Sequence, residues 1–332
     1  MTASLPSSKT WQQTSDYKVK EMASLKEIKN RIASIRNTQK ITSAMRMVAS
    51  AKLHHVQGMT EAFLRYKDNL QSLVDDLNVD IPCPEVFPQE PSTLAPQPST
   101  LNSLLSTLLI PISSNSGLCG AFNSNIAKAT IQRIHEIEAQ GQQVRLLPIG
   151  KKIAHELKKA QRDYIPDFIT LSDQIEKGGT FSDVSDLVTF VQQLYQNKEI
   201  GEVLFLYHHF KSMGTQVIQV EKMNLNPNVN ANHSTLSSKL STLNPNSSTF
   251  LTEPSPQELL TSLYPRLLNA QAYSVLLDSL TSEHAARMMA MQTADDNAND
   301  LLKELTLLYN KTRQQAITNE LIDIMSGKGA VT

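Results

Sequence analysis

The apolar positions of this chain fall into two helical stripes, one near each end, with strand-like runs between them. The first stripe reads Leu25, Ile28, Ile32 and Ile35, then Met45, Ala49, Leu53 and Val56, at steps dominated by three and four. Such alternation is the seam of a coiled coil. Ser24 and Glu27 have the spacing of a capping box and mark its start. Thr38, Gln39 and Thr42 make the middle of the seam polar, which lowers stability and fixes register or faces a partner. From Met22 to Ile81 there is no proline and one glycine, Gly58. Pro82 and Pro84 block continuation, so the helix is expected to end near Asn78.

The second stripe carries Leu276, Leu280, Met288, Met291, Ala298, Leu301, Leu305, Leu308, Ile317, Leu321 and Ile324. From Arg266 to Ser326 there is neither proline nor glycine. Ser255 and Glu258 form a second capping box, with Pro256 at the first helical position. Pro265 is expected to restart or kink the helix, and Gly327 to cap its end. At ~1.5 Å rise per residue, each stretch makes a rod of about 90 Å. A small core cannot cover such a rod. The two rods must pair with each other, enter another protein, or both; an antiparallel coiled coil is the simplest solution.

Between the rods the period changes. Residues 105–112 read as a strand, 113–123 as a loop and 124–140 as a helix. A strand at 144–149, a helix at 151–160 and another at 181–196 follow. Two strands, 202–210 and 215–223, meet near Gly214. Strand–helix alternation implies a mostly parallel sheet with helices on its faces. Two stretches rich in Pro, Ser, Thr or Asn interrupt the pattern, at 82–103 and 224–256. The expected organisation is a disordered leader over 1–21, an extension ahead of Met22 as a candidate true start, then a coiled-coil helix over 22–81. A surface loop (82–103), an α/β domain (104–223), a low-complexity insertion (224–256) and a second coiled-coil helix (257–327) complete it. The fold class is thus a long antiparallel coiled coil plus a central Rossmann-like α/β domain.

Charge sharpens this picture. Residues 22–60 hold seven basic side chains against one acid, whereas 266–326 hold five against eight. Oppositely biased rods favour mutual pairing or a charged sleeve. The net charge of −1 and the lack of interleaved aromatics argue against a nucleic-acid binder. Two separated cysteines, Cys83 and Cys119, are no disulfide scaffold. No apolar run approaches the length of a membrane span.

Candidate chemistry is sparse. Gly117 and Gly120 flank Leu118 and Cys119 between a strand and a helix, where a phosphate cradle or a packed turn are the two readings. No lysine follows in P-loop fashion, so the turn is favoured. His54–His55 and His208–His209 are adjacent pairs that point in different directions and do not chelate easily. No metal site, cofactor or catalytic set is expected. Asp295, Asp296 and Asp300 read as a solvated or partner-facing helix surface.

Three segments are more specific. MASLKEIKNRIASIRNTQKITSAMRMVASAKL (22–53), SGLCGAFNSNI (116–126) and SEHAARMMAMQTADDNANDLLKELTLLYNKTRQQAITNELIDIMSG (282–327) resemble, in order, the N-terminal, central and C-terminal signatures of the gamma subunit of F-type ATP synthases. The resemblance implies a non-catalytic central shaft inside a ring of alpha and beta subunits. The α/β foot would join the epsilon subunit and the ring of c subunits at the cytoplasmic face of a bacterial inner membrane. No homo-oligomer is implied. By position in those signatures, Met45, Arg46, Arg287, Gln314, Thr318, Glu320 and Asp323 are implied contacts with the ring. Gly117, Leu118, Cys119, Gly120, Phe122 and Asn123 form the central signature. Ile317, Leu321, Ile322, Ile324 and Met325, covering about 160° of a helical wheel, are expected as an apolar bearing tip. The family's acidic and basic pair ahead of the central signature is Asn115–Ser116 here, so any ion pair there is lost. The 224–256 insertion contains no cysteine, so thiol switching of the plant type is not expected.

Overall fold

A computed structural model describes residues 8–78, 106–176, 181–225 and 255–329. The loop expected at 82–103 lies outside these residues, as does the insertion from 226 to 254. The chain divides into two compact units, residues 49–289 and residues 1–48 with 290–332.

Helix α1 spans Ser8–Asn78. It ends at the expected residue but opens well before Met22, so part of the expected disordered leader, from Ser8 onward, is helical. The Ser24–Glu27 box lies inside the helix rather than at its start. Nothing after Pro6 breaks the backbone ladder until Gly58, and the helix runs back accordingly. The last helix, α6, spans Pro256–Gly329 and runs through Pro265. Its start is as the second capping box predicts: the Glu258 N–H donates to Ser255 Oγ at 3.3 Å. Gly327 does not end it.

In the 49–289 unit the elements between these helices are β1 (Ser106–Pro111), α2 (Phe122–Ala139), β2 (Val144–Leu146), α3 (Lys151–Lys159), α4 (Leu171–Glu176), α5 (Phe181–Gln196), β3 (Ile200–Ser212) and β4 (Thr215–Met223). The sheet order is β2-β1-β3-β4. β1 is parallel to β2 and β3, and β4 closes an antiparallel hairpin with β3. Strands buried on both faces read as continuous apolar runs, which β1 and β3 do. Leu108, Ile110, Val203 and Phe205 pack toward α5 and α6, against Leu187, Val191, Ala272 and Leu276. Leu109, Leu204 and Leu206 point the other way, onto Ile126 and Ile134 of α2 and Ile153 of α3. Burying one such side chain stabilises by roughly 1.5–3 kcal/mol. A third cluster pairs α1 with α6: Leu70, Val74 and Leu77 meet Leu260, Leu267 and Ala270.

The other unit is a two-helix coiled coil. Along α1, the positions shielded from solvent include Leu25, Ile28, Ile32, Ile35, Gln39, Thr42 and Arg46, with Ser43 partly shielded beside them. Along α6 they include Met291, Asp295, Ala298, Leu302, Leu305, Tyr309, Thr312 and Ala316. Both sets step by three and four without a slip, the heptad rule. Gln39 Nε2 donates to Asn299 Oδ1 at 2.7 Å, and Arg46 Nη1 donates to Gln292 Oε1. Moving along α1 from Gln39 to Arg46 thus moves the partner back along α6 from Asn299 to Gln292, so the pair is antiparallel. The phase corrects several seam expectations, Ile317 among them, which is exposed and leaves its place to Ala316. Met45 is 42% exposed and yields its seam place to Arg46; Leu301 and Leu308 are exposed and yield theirs to Leu302 and Tyr309. Of the polar seam residues, Gln39 and Thr42 are shielded as expected whereas Thr38 is exposed, and ranking positions beyond them by hydropathy loses the phase.

Candidate functional site

The coiled-coil unit holds six of the seven implied ring contacts. Arg46 lies against α6, with Nη1 4.0 Å from Asp295 Oδ2. Gln292 Nε2 in turn donates to Asp296 Oδ1 at 3.0 Å. Arg46 is therefore engaged within the chain. Met45 is the outward one, and with Ile41 and Val48 it makes an exposed stripe at helical spacing. Sequence reading missed Ile41 and Val48; their i, i+4, i+7 spacing with Met45 was the available signal.

Gln314, Thr318, Glu320 and Asp323 are exposed on α6. Thr318 Oγ1 donates back to the Gln314 carbonyl at 2.9 Å, which ties those two together. Ile317, Leu321, Ile322, Ile324 and Met325 are all exposed, Met325 by 76%. These five side chains leave apolar surface open to solvent over the last turns of α6.

Arg287 belongs to the other unit. Its Nη2 donates to Glu283 Oε1 at 2.8 Å and to Ser116 Oγ at 2.7 Å. Ser116 opens the 116–126 segment, whose first residues form the loop between β1 and α2. The loop is stitched from within. The Ser114 N–H donates to Asn123 Oδ1 at 3.1 Å, and Asn123 Nδ2 donates to Ser114 Oγ at 2.7 Å and to Cys119 Sγ at 3.1 Å. Cys119 is buried, so it fills space rather than reacting. The Phe122 N–H is taken by the Cys119 carbonyl at 3.3 Å. These bonds fill the loop with its own groups, as a packed turn does. Leu118 and Gly120 take left-handed φ angles of 65° and 60°, and Leu118 is left 63% exposed. Asn115 makes two neutral bonds: Nδ2 donates to Ser172 Oγ at 2.9 Å, and Oδ1 accepts the Lys151 N–H at 2.8 Å.

Phe122 stacks on His208 with ring centroids 4.1 Å apart. Burial pushes the His208 imidazole down to about 4 from the usual 6.5, and its Nδ1 has no hydrogen-bond partner among the described residues. The unfolded chain therefore takes up this proton at higher pH than the folded chain does. The contribution is fully present above about pH 6.5 and is lost as pH falls toward 4, by about 3 kcal/mol. Urea unfolding at pH 7 and pH 4.5 should show a steeper acid loss for the wild type than for His208→Leu. Parallel losses would contradict this.

Among the described residues no group of three or more His, Cys, Asp or Glu side chains could hold a metal, and no helix is long and apolar enough to cross a membrane. An α/β domain and an antiparallel helix pair with open apolar faces define a partner-binding protein of the coiled-coil class. The ATP synthase family model matches residues 24–331. The chain is 43% identical to the ATP synthase gamma chain of Parabacteroides distasonis over 92% of its own length and 98% of that protein. It is 35% identical to that of Flavobacterium johnsoniae, over 93% and 99%. Among solved structures it is similar to the rotor of the Euglena gracilis mitochondrial ATP synthase, with a TM-score of 0.55 at 16% identity, covering 89% of this chain and 99% of that one; this is a likeness of fold. The chain belongs to the ATP synthase gamma chain family.

Proposed function

We propose that this chain is the central rotor shaft of an F-type ATP synthase. Its coiled coil stands inside the ring of alpha and beta subunits, and its α/β domain, with the epsilon subunit, engages the ring of c subunits. Proton flow turns the shaft, and the turning shaft drives the beta sites through states of different nucleotide affinity. The chain itself breaks no bonds and works at the cytoplasmic face of a bacterial inner membrane. Alignment with bacterial gamma chains over almost their whole length supports this reading.

The observation that carries it is the coiled coil's division of labour. One stripe of each helix is spent on the seam, while Ile41, Met45 and Val48 and the tip from Ile317 to Met325 stay open. Such a surface needs a sleeve. We assign Met45, Gln314, Thr318, Glu320 and Asp323 to contacts with that sleeve, and Ile317, Leu321, Ile322, Ile324 and Met325 to its apolar bearing. Gln314→Ala is exposed and should leave the thermal midpoint unchanged while lowering coupled ATP synthesis in membranes. Tagged full-length chain should also bring down alpha and beta subunits from its native membranes. Recovery without them would overturn the proposal.

A further inference from the structure

The Arg287 guanidinium is turned inward, onto its own chain. Its side chain is 16% exposed and that of Glu283 8%. Besides Glu283 and Ser116, its Nη1 lies 3.4 Å from His284 Nδ1. We propose that Arg287 is a positioning residue: it latches the signature loop to α6 through Ser116, so that load on the loop passes into the helix. This rests on the rotor reading and replaces a direct ring contact for Arg287 with an internal one.

Three observations carry the latch. The Glu283–Arg287 pair is one helical turn apart and shielded, so the guanidinium is aimed before it meets Ser116. Ser116 is short and neutral, which leaves room for an arginine that a basic residue there would repel. The remaining loop bonds run to other elements: Asn123 holds it to α2, and Asn115 holds it to α3 and α4. Arg287 alone among these ties it to α6. The element so held presents Leu118, an exposed leucine at a left-handed φ, which serves a fixed contact better than a floppy one.

Hydrogen exchange on the free full-length chain tests the latch. The Ser114 and Phe122 amides, both hydrogen-bonded in the loop, are the reporters. Ser116→Ala spares the Arg287–Glu283 pair, so the fold is retained. Exchange at these amides should quicken about fivefold to tenfold, the effect of one lost hydrogen bond, with an unchanged thermal midpoint. Arg287→Lys should behave alike, since the shorter lysine can still pair with Glu283 one turn away but its ammonium stops short of the Nη2 position from which Ser116 is reached. Adding Ser116→Ala to Arg287→Lys should quicken exchange no further. In the reconstituted complex, Ser116→Ala should lower synthesis more than hydrolysis. Wild-type exchange and coupling in Ser116→Ala, beside impaired coupling in Arg287→Lys, would overturn the latch and return Arg287 to a direct contact. Exchange in the free chain decides the latch even where a wild-type complex fails to couple, an outcome that would sink the rotor reading instead.

Discussion

Replacing Gly150 with alanine is expected to unfold the α/β domain. Gly150 caps α3 with φ 108° and ψ 138°, a backbone that a side chain strongly resists. Its N–H is held by the Ile169 carbonyl at 2.8 Å, so the chain cannot easily rotate away. A Cβ here would stand 2.5 Å from Ser113 Oγ and 2.7 Å from the Ser113 carbonyl carbon, with the carbonyl oxygen closer still. Ser113 has nowhere to go. Its N–H donates to the Ile149 carbonyl at 2.8 Å, and its Oγ accepts the Ile153 N–H at 3.0 Å. Strain and overpacking of this kind destabilise by about 4 kcal/mol or more together. Gly117→Ala is the control, because nothing lies within 4 Å of its added Cβ. Thermal unfolding should show no cooperative transition for Gly150→Ala and a normal one for Gly117→Ala. A Gly150→Ala midpoint within about 3 °C of wild type, a change near 1 kcal/mol, would contradict the geometry.

The second large effect concerns the coiled coil. Ala298→Pro is expected to abolish coupled ATP synthesis while the α/β domain stays folded. Ala298 is a buried seam residue of α6. Proline there removes a ladder hydrogen bond and clashes with the preceding turn, at about 3 kcal/mol or more. The resulting kink also takes Asp295 and Asn299 out of line with Arg46 and Gln39. The core of the 49–289 unit is made from its own residues and should survive. Circular dichroism should show lost helix with the main thermal transition retained, and membranes should make no ATP. Asn297→Ala, exposed beside it, should behave as wild type. Normal synthesis in Ala298→Pro would mean that the paired helices are dispensable to the reaction.

Much of the fold was legible because it rests on local signals. The apolar runs at Leu108–Ile110 and Val203–Tyr207 mark strands, the Ser255 cap marks the start of α6, and α1 ends at Asn78, as the proline at 82 in the sequence leads one to expect. Helix α4 has no counterpart in the hydrophobic pattern, since LSDQIE is too short to show a period. Ser24 and Glu27 lie within α1 rather than at its start, because a capping-box spacing also occurs by chance inside a helix. The seam slipped by one residue at Met45 because hydropathy alone ranks methionine above arginine. Counting heptads through Gln39 and Thr42 would have placed Arg46. The latch was illegible in principle: Ser116 and Arg287 are far apart in the chain, and only the packing of α6 brings them together.

The central claim is that this chain turns inside its complex. A bead fixed to the exposed face of α3, at Lys158→Cys with Cys83 and Cys119 replaced by serine, reports that motion in a complex reconstituted with alpha and beta subunits and held by the latter. Stepwise rotation in one direction under ATP is the predicted result. A bead that stays still while the same complexes hydrolyse ATP would contradict the account.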